Sequence, residues 1–369
     1  MTKNINKLLE KYESKNEKDL DEDINPVDKS KNKKELNQDS LQSINPVRNV
    51  KIKLDLKDKK ILYQLELNAR QSNSQIAKKV GLSKEVVNYR IKRLETFKVI
   101  KSYYPIIDLS KLGYINFRIY LRLMDATPKK EKEILEYLIN NKESFYVSTL
   151  DGRFDLSIGV AVKEIHEFES FYNQFKDNFK QFIRKEQISI FTAVYHFNRN
   201  YLLDEKISRN PPAIIGKSPK EEFDNTDINI LKILSKNSRI PLIDISKKLF
   251  IPERTIAFRI KKLEQKKIIL CYKALLNLNS LGYEYFKLDI ILKDTSRIKE
   301  LLKYAESNPY ITYIDQTIAG SDFEFDIEVK NKQHLLEIVN DLKIKFPEIR
   351  EWSYFTLLSY DKLIYLPSI

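Results

Sequence analysis

The chain has 369 residues, with 65 Lys or Arg against 52 Asp or Glu, for a formal charge of +13. This length suggests two to four domains, and the 42% of hydrophobic residues is enough for ordinary globular cores. One cysteine excludes an intramolecular disulfide framework and a multi-cysteine zinc site, and no apolar run reaches the roughly 18 residues of a membrane span. With a polar N-terminus as well, we expect a cytoplasmic protein with no membrane partner.

Residues 1–50 have the composition of a disordered tail. They are rich in Asn, Lys, Asp, Glu and Ser, with only scattered apolar side chains. Such a segment cannot bury enough apolar area to offset the entropy lost on ordering.

A winged helix-turn-helix is predicted next. Apolar stripes at helical spacing and Ser caps indicate three helices, and an alternating aromatic segment indicates a two-stranded wing: Lys57–Asn68, Asn73–Val80, Ser83–Phe97 and Val99–Ile107. Gly81 makes the tight turn before the third helix.

A βαββαβ pattern follows, typical of a ferredoxin-like domain with two helices on one face of an antiparallel sheet. Its predicted elements are Phe117–Leu123, Lys129–Asn140, Phe145–Leu150, Phe154–Val162, Glu164–Phe179 and Gln187–Phe197.

The same order then repeats 169 positions later, since Arg90–Glu95 returns as Arg259–Glu264. The second set of sheet strands is predicted near 286–292, 312–318, 323–329 and 351–358. A Pro-containing linker separates the repeats. The predicted fold class is therefore α+β. A tail at 1–50 precedes a winged helix-turn-helix domain at 51–110 and a ferredoxin-like domain at 111–203. After a linker at 204–222, the second winged helix-turn-helix domain covers 223–279 and the second ferredoxin-like domain covers 280–369.

The first repeat resembles the Lrp/AsnC (feast/famine) transcription regulators through Leu54-Asp55, Asp58, Ile61-Leu62, Asn68-Ala69-Arg70, Ile76-Ala77, Gly81-Leu82-Ser83, Val87, Arg90-Ile91, Leu94-Glu95, Val99-Ile100 and Leu112-Gly113. The resemblance implies sequence-specific binding to double-stranded DNA and a ligand-sensing (RAM-type) sheet domain, with an amino acid or similar molecule as effector. Members normally carry one unit and assemble as dimers or rings, so this chain resembles a fused dimer, an intramolecular pseudo-dimer able to join higher homo-oligomers. Lys98 and Lys267 replace the glycine that usually precedes the wing, and Phe250-Ile251-Pro252 replaces the Gly-Leu-Ser turn.

The third helix of each module is the candidate reader of DNA. Val87, Ile91 and Leu94 form the buried stripe in the first module, and Ile256, Ile260 and Leu263 in the second. We assign base contact to Lys84, Asn88 and Tyr89, phosphate contact to Lys92 and Arg93, and either DNA contact or a bracing role to Arg90. The corresponding candidates in the second module are Arg254, Phe258, Arg259, Lys261 and Lys262. Asn88 becomes Ala257, so the two half-sites should not form a perfect palindrome.

The candidate effector residues lie in one loop of each sheet domain. By the resemblance, Gly152 and Asp155, and Gly320 and Asp322, lie beside an effector pocket. Each could equally be a turn glycine with a capping aspartate. The spacing is one residue shorter in the second repeat, so Asp322 need not be equivalent to Asp155.

Catalysis, metal binding and a cofactor are not predicted. The three histidines lack metal-ligand spacing, and no G-x-S-x-G or phosphate-loop motif occurs. One enzymatic alternative is a sirohaem-decarboxylase-like protein of the same domain plan, for which His196 with Arg184 or Arg199 would be the residues to suspect. A ligand-sensing or assembly protein without DNA binding is another.

Overall fold

The computed structural model describes residues 53–203, 210–216 and 218–367. The predicted tail at 1–50 lies outside the described residues, as does part of the predicted linker. Among the described residues, no helix has both the length and the apolar character needed to cross a lipid bilayer.

Each repeat opens with three helices that pack as a helix-turn-helix. They are α1 Leu56–Leu67, α2 Asn73–Val80 and α3 Lys84–Thr96 in the first repeat, and α6 Asn225–Lys236, α7 Leu242–Leu249 and α8 Glu253–Gln265 in the second. Asp55 and Asp224 each start the first helix with a capping box. Gly81 makes the first turn in the left-handed region, and Phe250 adopts the same conformation in the second module.

The third helices both end in a Schellman motif with a lysine at the left-handed position. The N–H of Val99 donates to the carbonyl of Leu94, and the N–H of Lys98 donates to that of Glu95. Lys98 has a φ of 55° and Lys267 one of 59°. These lysines therefore take up the conformation for which a glycine is usual.

The predicted wing strand pairs with a different strand from the one expected. Val99–Ile107 was expected to form a two-stranded ribbon within one module, but it contributes one strand, β1 (Ile100–Ile107). This strand pairs antiparallel with β7 (Ile269–Leu276) of the other repeat, with Tyr104 opposite Lys273. The two modules therefore share one ribbon, and their apolar side chains form one continuous core.

Each repeat continues with a ferredoxin-like domain, as predicted. The first contains β2 Ile115–Leu123, α4 Pro128–Asn140, β3 Ser144–Asp151, β4 Leu156–Val162, α5 Ile165–Phe179 and β5 Ile183–His196. The second, after the short helix α9 (Leu278–Leu281), contains β8 Glu284–Leu292, α10 Ile298–Ser307, β9 Ile311–Ile318, β10 Phe323–Val329, α11 Lys332–Lys345 and β11 Ile349–Leu363.

The last strand of each domain is long enough to serve both sheets. The first half of β5 pairs with β2 and its second half with β9, while β11 pairs first with β8 and then with β3. The eight strands therefore close into a ring with the helices outside it. The predicted linker also contributes to this sheet, because β6 (Ala213–Gly216) pairs with the end of β5.

Candidate nucleic-acid interface

Helix α3 buries one face and exposes the other, as its apolar spacing predicts. Val87, Ile91 and Leu94 are at most 4% exposed and lie in the core of the module. The opposite face is polar and exposed, and it carries Lys84, Asn88, Tyr89 and Lys92. The side chain of Ser83 accepts a hydrogen bond from the N–H of Val86 and caps α3, so it sets the residue at which the helix and this face begin.

The two arginines of α3 are engaged within the protein. Nη1 of Arg90 lies 2.8 Å from carboxylate oxygens of both Asp55 and Asp58, and Nη2 of Arg93 lies 2.6 Å from Asp58. Asp58 is fully buried, so these pairs tie α3 to the start of α1. These ion pairs match the bracing role weighed for Arg90, while DNA contact by Arg90 and by Arg93 stays a prediction.

Helix α8 repeats this design. Ile256, Ile260 and Leu263 are buried, and Nη1 of Arg259 lies 2.7 Å from Asp224 and 3.0 Å from Asp227. The outward residues are Arg254, Phe258, Lys261 and Lys262, all exposed. Phe258 is 67% exposed, against 37% for Tyr89 at the same position of α3.

Reciprocal arginines hold the two modules together. Arg70 donates to the main-chain carbonyls of Ser238 and Ile240, and its counterpart Arg239 donates to those of Ala69 and Gln71. Each guanidinium also lies over a wing tyrosine of the partner module, Tyr272 and Tyr103 respectively. The two reader helices therefore belong to one body with approximate two-fold symmetry.

The predicted effector aspartates are equivalent in the two repeats despite the shorter second loop. Asp155 accepts the N–H of Leu123 at 2.6 Å, and Asp322 accepts that of the matching Leu292 at 2.8 Å. Asp155 also pairs with Arg122 at 2.8 Å. Both carboxylates thus secure the end of the first strand of their domain, and their contact with an effector stays a prediction.

The two loop glycines differ. Gly152 has a φ of 137°, and a side chain there would place its Cβ 2.8 Å from Cβ of Phe355. It borders an open cleft of about 610 Å³ whose wall includes Trp352, Tyr354 and Lys332. Gly320 lies instead against Thr317 and Glu324.

Two buried charge clusters were missed from the sequence. The first fills the ring of strands: Arg118 lies 2.9 Å from Asp315 and 2.6 Å from Glu324, while Lys287 lies 2.6 Å from Asp326. Arg153 reaches Asp289 from the first repeat at 2.5 Å. These residues alternate with apolar ones along their strands, and such a pattern predicts a strand with one face towards solvent, so their burial was not expected.

Burial makes two carboxyl groups of the first cluster weaker acids than usual. Burial and then Glu324 raise the pKa of Asp289 to about 6, although Arg153 opposes this. Burial also raises the pKa of Asp326 to about 6, with Lys287 lowering it and Asp315 raising it. In the first repeat, uncharged Tyr120 and Gly159 stand where the second has these aspartates.

The second cluster joins a reader module to the opposite sheet. Arg199 lies 3.0 Å from Glu66 of α1 and donates to both carboxylate oxygens of Glu328 on β10 at 2.8 Å. Lys273 of β7 lies 2.7 Å from Glu66. Burial raises the pKa of Glu66, but Arg199 and Lys273 outweigh it and lower the pKa overall. The positions that match Glu66, Lys273 and Glu328 hold uncharged residues, namely Ser235, Tyr104 and Ala161.

Of the two arginines suspected for decarboxylase chemistry, Arg199 lies close to His196, whereas Arg184 does not. Arg184 is exposed near the start of β5 and His196 ends it, and twelve residues of strand span about 40 Å. Burial lowers the pKa of His196 well below its ordinary value, with Lys273 and Arg199 acting in the same direction. In the described part of the chain, no three His, Cys, Asp or Glu side chains are grouped as a metal site requires.

Comparisons with known proteins agree with this architecture. The family model described as winged helix-turn-helix DNA-binding matches residues 54–96 and 223–269. An HTH-type transcriptional regulator of Pyrococcus furiosus is 31% identical over 118 residues, covering 32% of this chain and 78% of that protein. This chain is thus more than twice as long as that relative.

Two solved structures are similar to the chain over different shares of its length. The sirohaem decarboxylase NirDL has a TM-score of 0.57 at 14% identity, over 84% of this chain and 93% of that chain. The AsnC family transcriptional regulator from Agrobacterium tumefaciens is 25% identical with a TM-score of 0.34, over 37% of this chain and 89% of its own. The likeness to the decarboxylase, at this identity, extends to the fold alone.

Proposed function

This chain belongs to the HTH-type transcriptional regulators and has the Lrp/AsnC domain order that its sequence resembles, and from that premise we propose that its two reader helices bind one DNA duplex together. They would enter successive major grooves, about one turn or roughly 34 Å apart. Such a regulator would act on the chromosome in the cytoplasm.

The observation that carries this proposal is the repeated exposed basic face. Lys92 and Lys261 occupy equivalent positions on the outward sides of α3 and α8, and both are exposed. Neither contributes to the apolar core, which lies on the opposite side of each helix. A basic face on the third helix of a helix-turn-helix is suited to phosphate contact, and two such faces on one body are suited to one duplex.

An enzymatic role is not favoured. Arg199 is neutralised by Glu66 and Glu328, so it is not available to a ligand carboxylate without breaking a buried pair. Arg184 lies at the far end of its strand from His196. We therefore propose a regulator rather than a decarboxylase.

We also propose that an amino acid or similar small molecule modulates the binding of DNA. Asp155 and Asp322 hold strand ends, which leaves the cleft beside Gly152 as the better support for an effector site. An effector there would act only by binding one arrangement of the readers more tightly than another. Assembly into higher homo-oligomers is a further expectation from the family resemblance.

Salt-dependent DNA binding tests the main proposal. The association constant for duplex DNA, measured by fluorescence anisotropy between about 50 and 300 mM salt, should fall linearly with salt concentration on a log–log plot. Replacing both Lys92 and Lys261 by Ala should reduce that slope by about 2, because each lost phosphate contact removes roughly 0.9.

A matched control separates local contact from net charge. Lys129→Ala with Lys299→Ala removes the same charge from exposed positions on α4 and α10 of the sheet domains. This variant should retain the wild-type slope. If it lost as much affinity as the reader variant, or if the wild type bound no duplex at low salt, the proposal would be wrong.

A further inference from the structure

The second reader face carries a largely exposed aromatic residue. Phe258 is 67% exposed and lies at the middle of α8. The residues that pack the module, Ile256 and Ile260, point to the other side. Because so much of this ring faces solvent, the core gains little from it, and its place on the reader helix leaves it available to a ligand.

Basic side chains surround this ring along the helix. Arg254 precedes Phe258 by one turn, and Lys261 and Lys262 follow it by one turn, so all four share a face. All three basic residues are exposed. An apolar ring within a cationic stripe on a third helix is complementary to a polyanion that presents an apolar group in a groove.

The first module presents different chemistry at the same positions. Asn88 is exposed on α3, and its Oδ1 accepts a hydrogen bond from Asn73. Tyr89, the counterpart of Phe258, has a hydroxyl and is half as exposed. The second module has Ala257 in place of Asn88, so it lacks the amide that pairs with adenine.

The major groove offers one apolar group, the 5-methyl of thymine. We propose that Phe258 reads a thymine by contact with this methyl group, so that the second half-site is selected by apolar contact and the first by hydrogen bonding. This inference rests on the proposed DNA binding and specifies its ligand. The operator it implies is asymmetric, with a required thymine in one half only.

Uracil substitution tests the proposal because uracil pairs like thymine but lacks the methyl group. An operator would first be selected from a random duplex library with the full-length chain. Each thymine would then be replaced singly by deoxyuridine and the affinity measured by anisotropy. We expect one thymine, in one half-site, whose replacement weakens wild-type binding about fourfold, the effect of roughly one buried methyl group.

Variants assign that effect to one side chain. Phe258→Ala should bind the thymine and uracil operators equally, while Phe258→Leu should keep part of the discrimination. Ile344→Ala, which truncates an 81% exposed residue on α11, should discriminate as the wild type does. A uracil effect unchanged in Phe258→Ala, or an operator that binds tightly with no methyl-sensitive thymine, would overturn the assignment while leaving DNA binding intact. Failure to select any operator would instead count against the proposed function itself.

Discussion

Replacing Arg199 by Met should strongly destabilise the fold, because it strands a carboxylate in the interior. Glu328 is 1% exposed and accepts two hydrogen bonds from Arg199. Once Arg199 is replaced, the hydroxyl of Tyr201 would be the remaining partner of Glu328 in the second cluster. Glu66 is fully buried but retains Lys273 at 2.7 Å. Loss of one partner of a buried ion pair lowers the free energy of unfolding by about 3–5 kcal/mol. Because Glu66 keeps its contact with Lys273, we expect a loss at the lower end of this range.

The assay is urea unfolding at pH 7, followed by circular dichroism. Arg184→Met is the matched control, because Arg184 is exposed on β5, and it should change the free energy of unfolding by less than about 0.5 kcal/mol. A loss below about 1 kcal/mol for Arg199→Met would refute the reasoning.

The protein itself contains an uncharged version of this site. Combining Arg199→Met with Glu66→Ser, Lys273→Tyr and Glu328→Ala removes all four charges, and the last three substitutions copy the residues of the equivalent positions. This variant should be more stable than Arg199→Met alone, because no unpaired buried charge remains. If it were less stable, loss of packing rather than an unpaired charge would explain the effect.

Three further perturbations address other features. Burial raises the pKa values of Asp289 and Asp326 from 3.8 to about 6, so the folded protein binds more protons than the unfolded chain below pH 7. The free energy of unfolding should therefore increase as pH falls from 7 towards 5, by up to about 1.4 kcal/mol per pH unit for each group. Asp289→Asn should make this pH dependence weaker in urea titrations. Phe250→Gly should raise the melting temperature, because a 94% exposed phenylalanine at φ 55° contributes strain of about 1 kcal/mol and little packing. Gly152→Ala should lower the free energy of unfolding by about 1–3 kcal/mol, since its Cβ would collide with Phe355.

Each has a result that contradicts it. An Asp289→Asn variant with the wild-type pH slope would mean that this carboxyl does not change its protonation on folding. A lower melting temperature for Phe250→Gly would show that the ring packs against part of the protein. Wild-type stability of Gly152→Ala would require Phe355 to move away at no cost.

Local structure could be predicted because its causes are local. Ser72, Ser83 and Gly81 sit at the ends of helices where caps and left-handed turns are needed, and the structure uses all three in this way. The alternation of apolar residues likewise located the sheet strands. Which strands pair with each other could not be predicted, since the edge of Ile100–Ile107 has the same hydrogen-bonding groups whichever strand it meets.

The buried charges show the same limit more sharply. Arg118 alternates with Phe117 and Ile119, a pattern typical of a strand with one solvent-facing side. Closure of the ring covers that side and pairs Arg118 with Asp315, nearly 200 positions away. Only the distant partner makes such a charge tolerable in the interior, and no local pattern identifies it.

Joining both halves of the symmetric body in one polypeptide changes how the protein responds to its own abundance. A dimer of separate subunits dissociates on dilution, so occupancy of its target falls with roughly the square of subunit concentration when monomers dominate. Here the reciprocal Arg70 and Arg239 contacts form within a single molecule, at an effective concentration that does not depend on expression level. Occupancy should therefore follow the first power of protein concentration, and binding would persist when only a few copies are present.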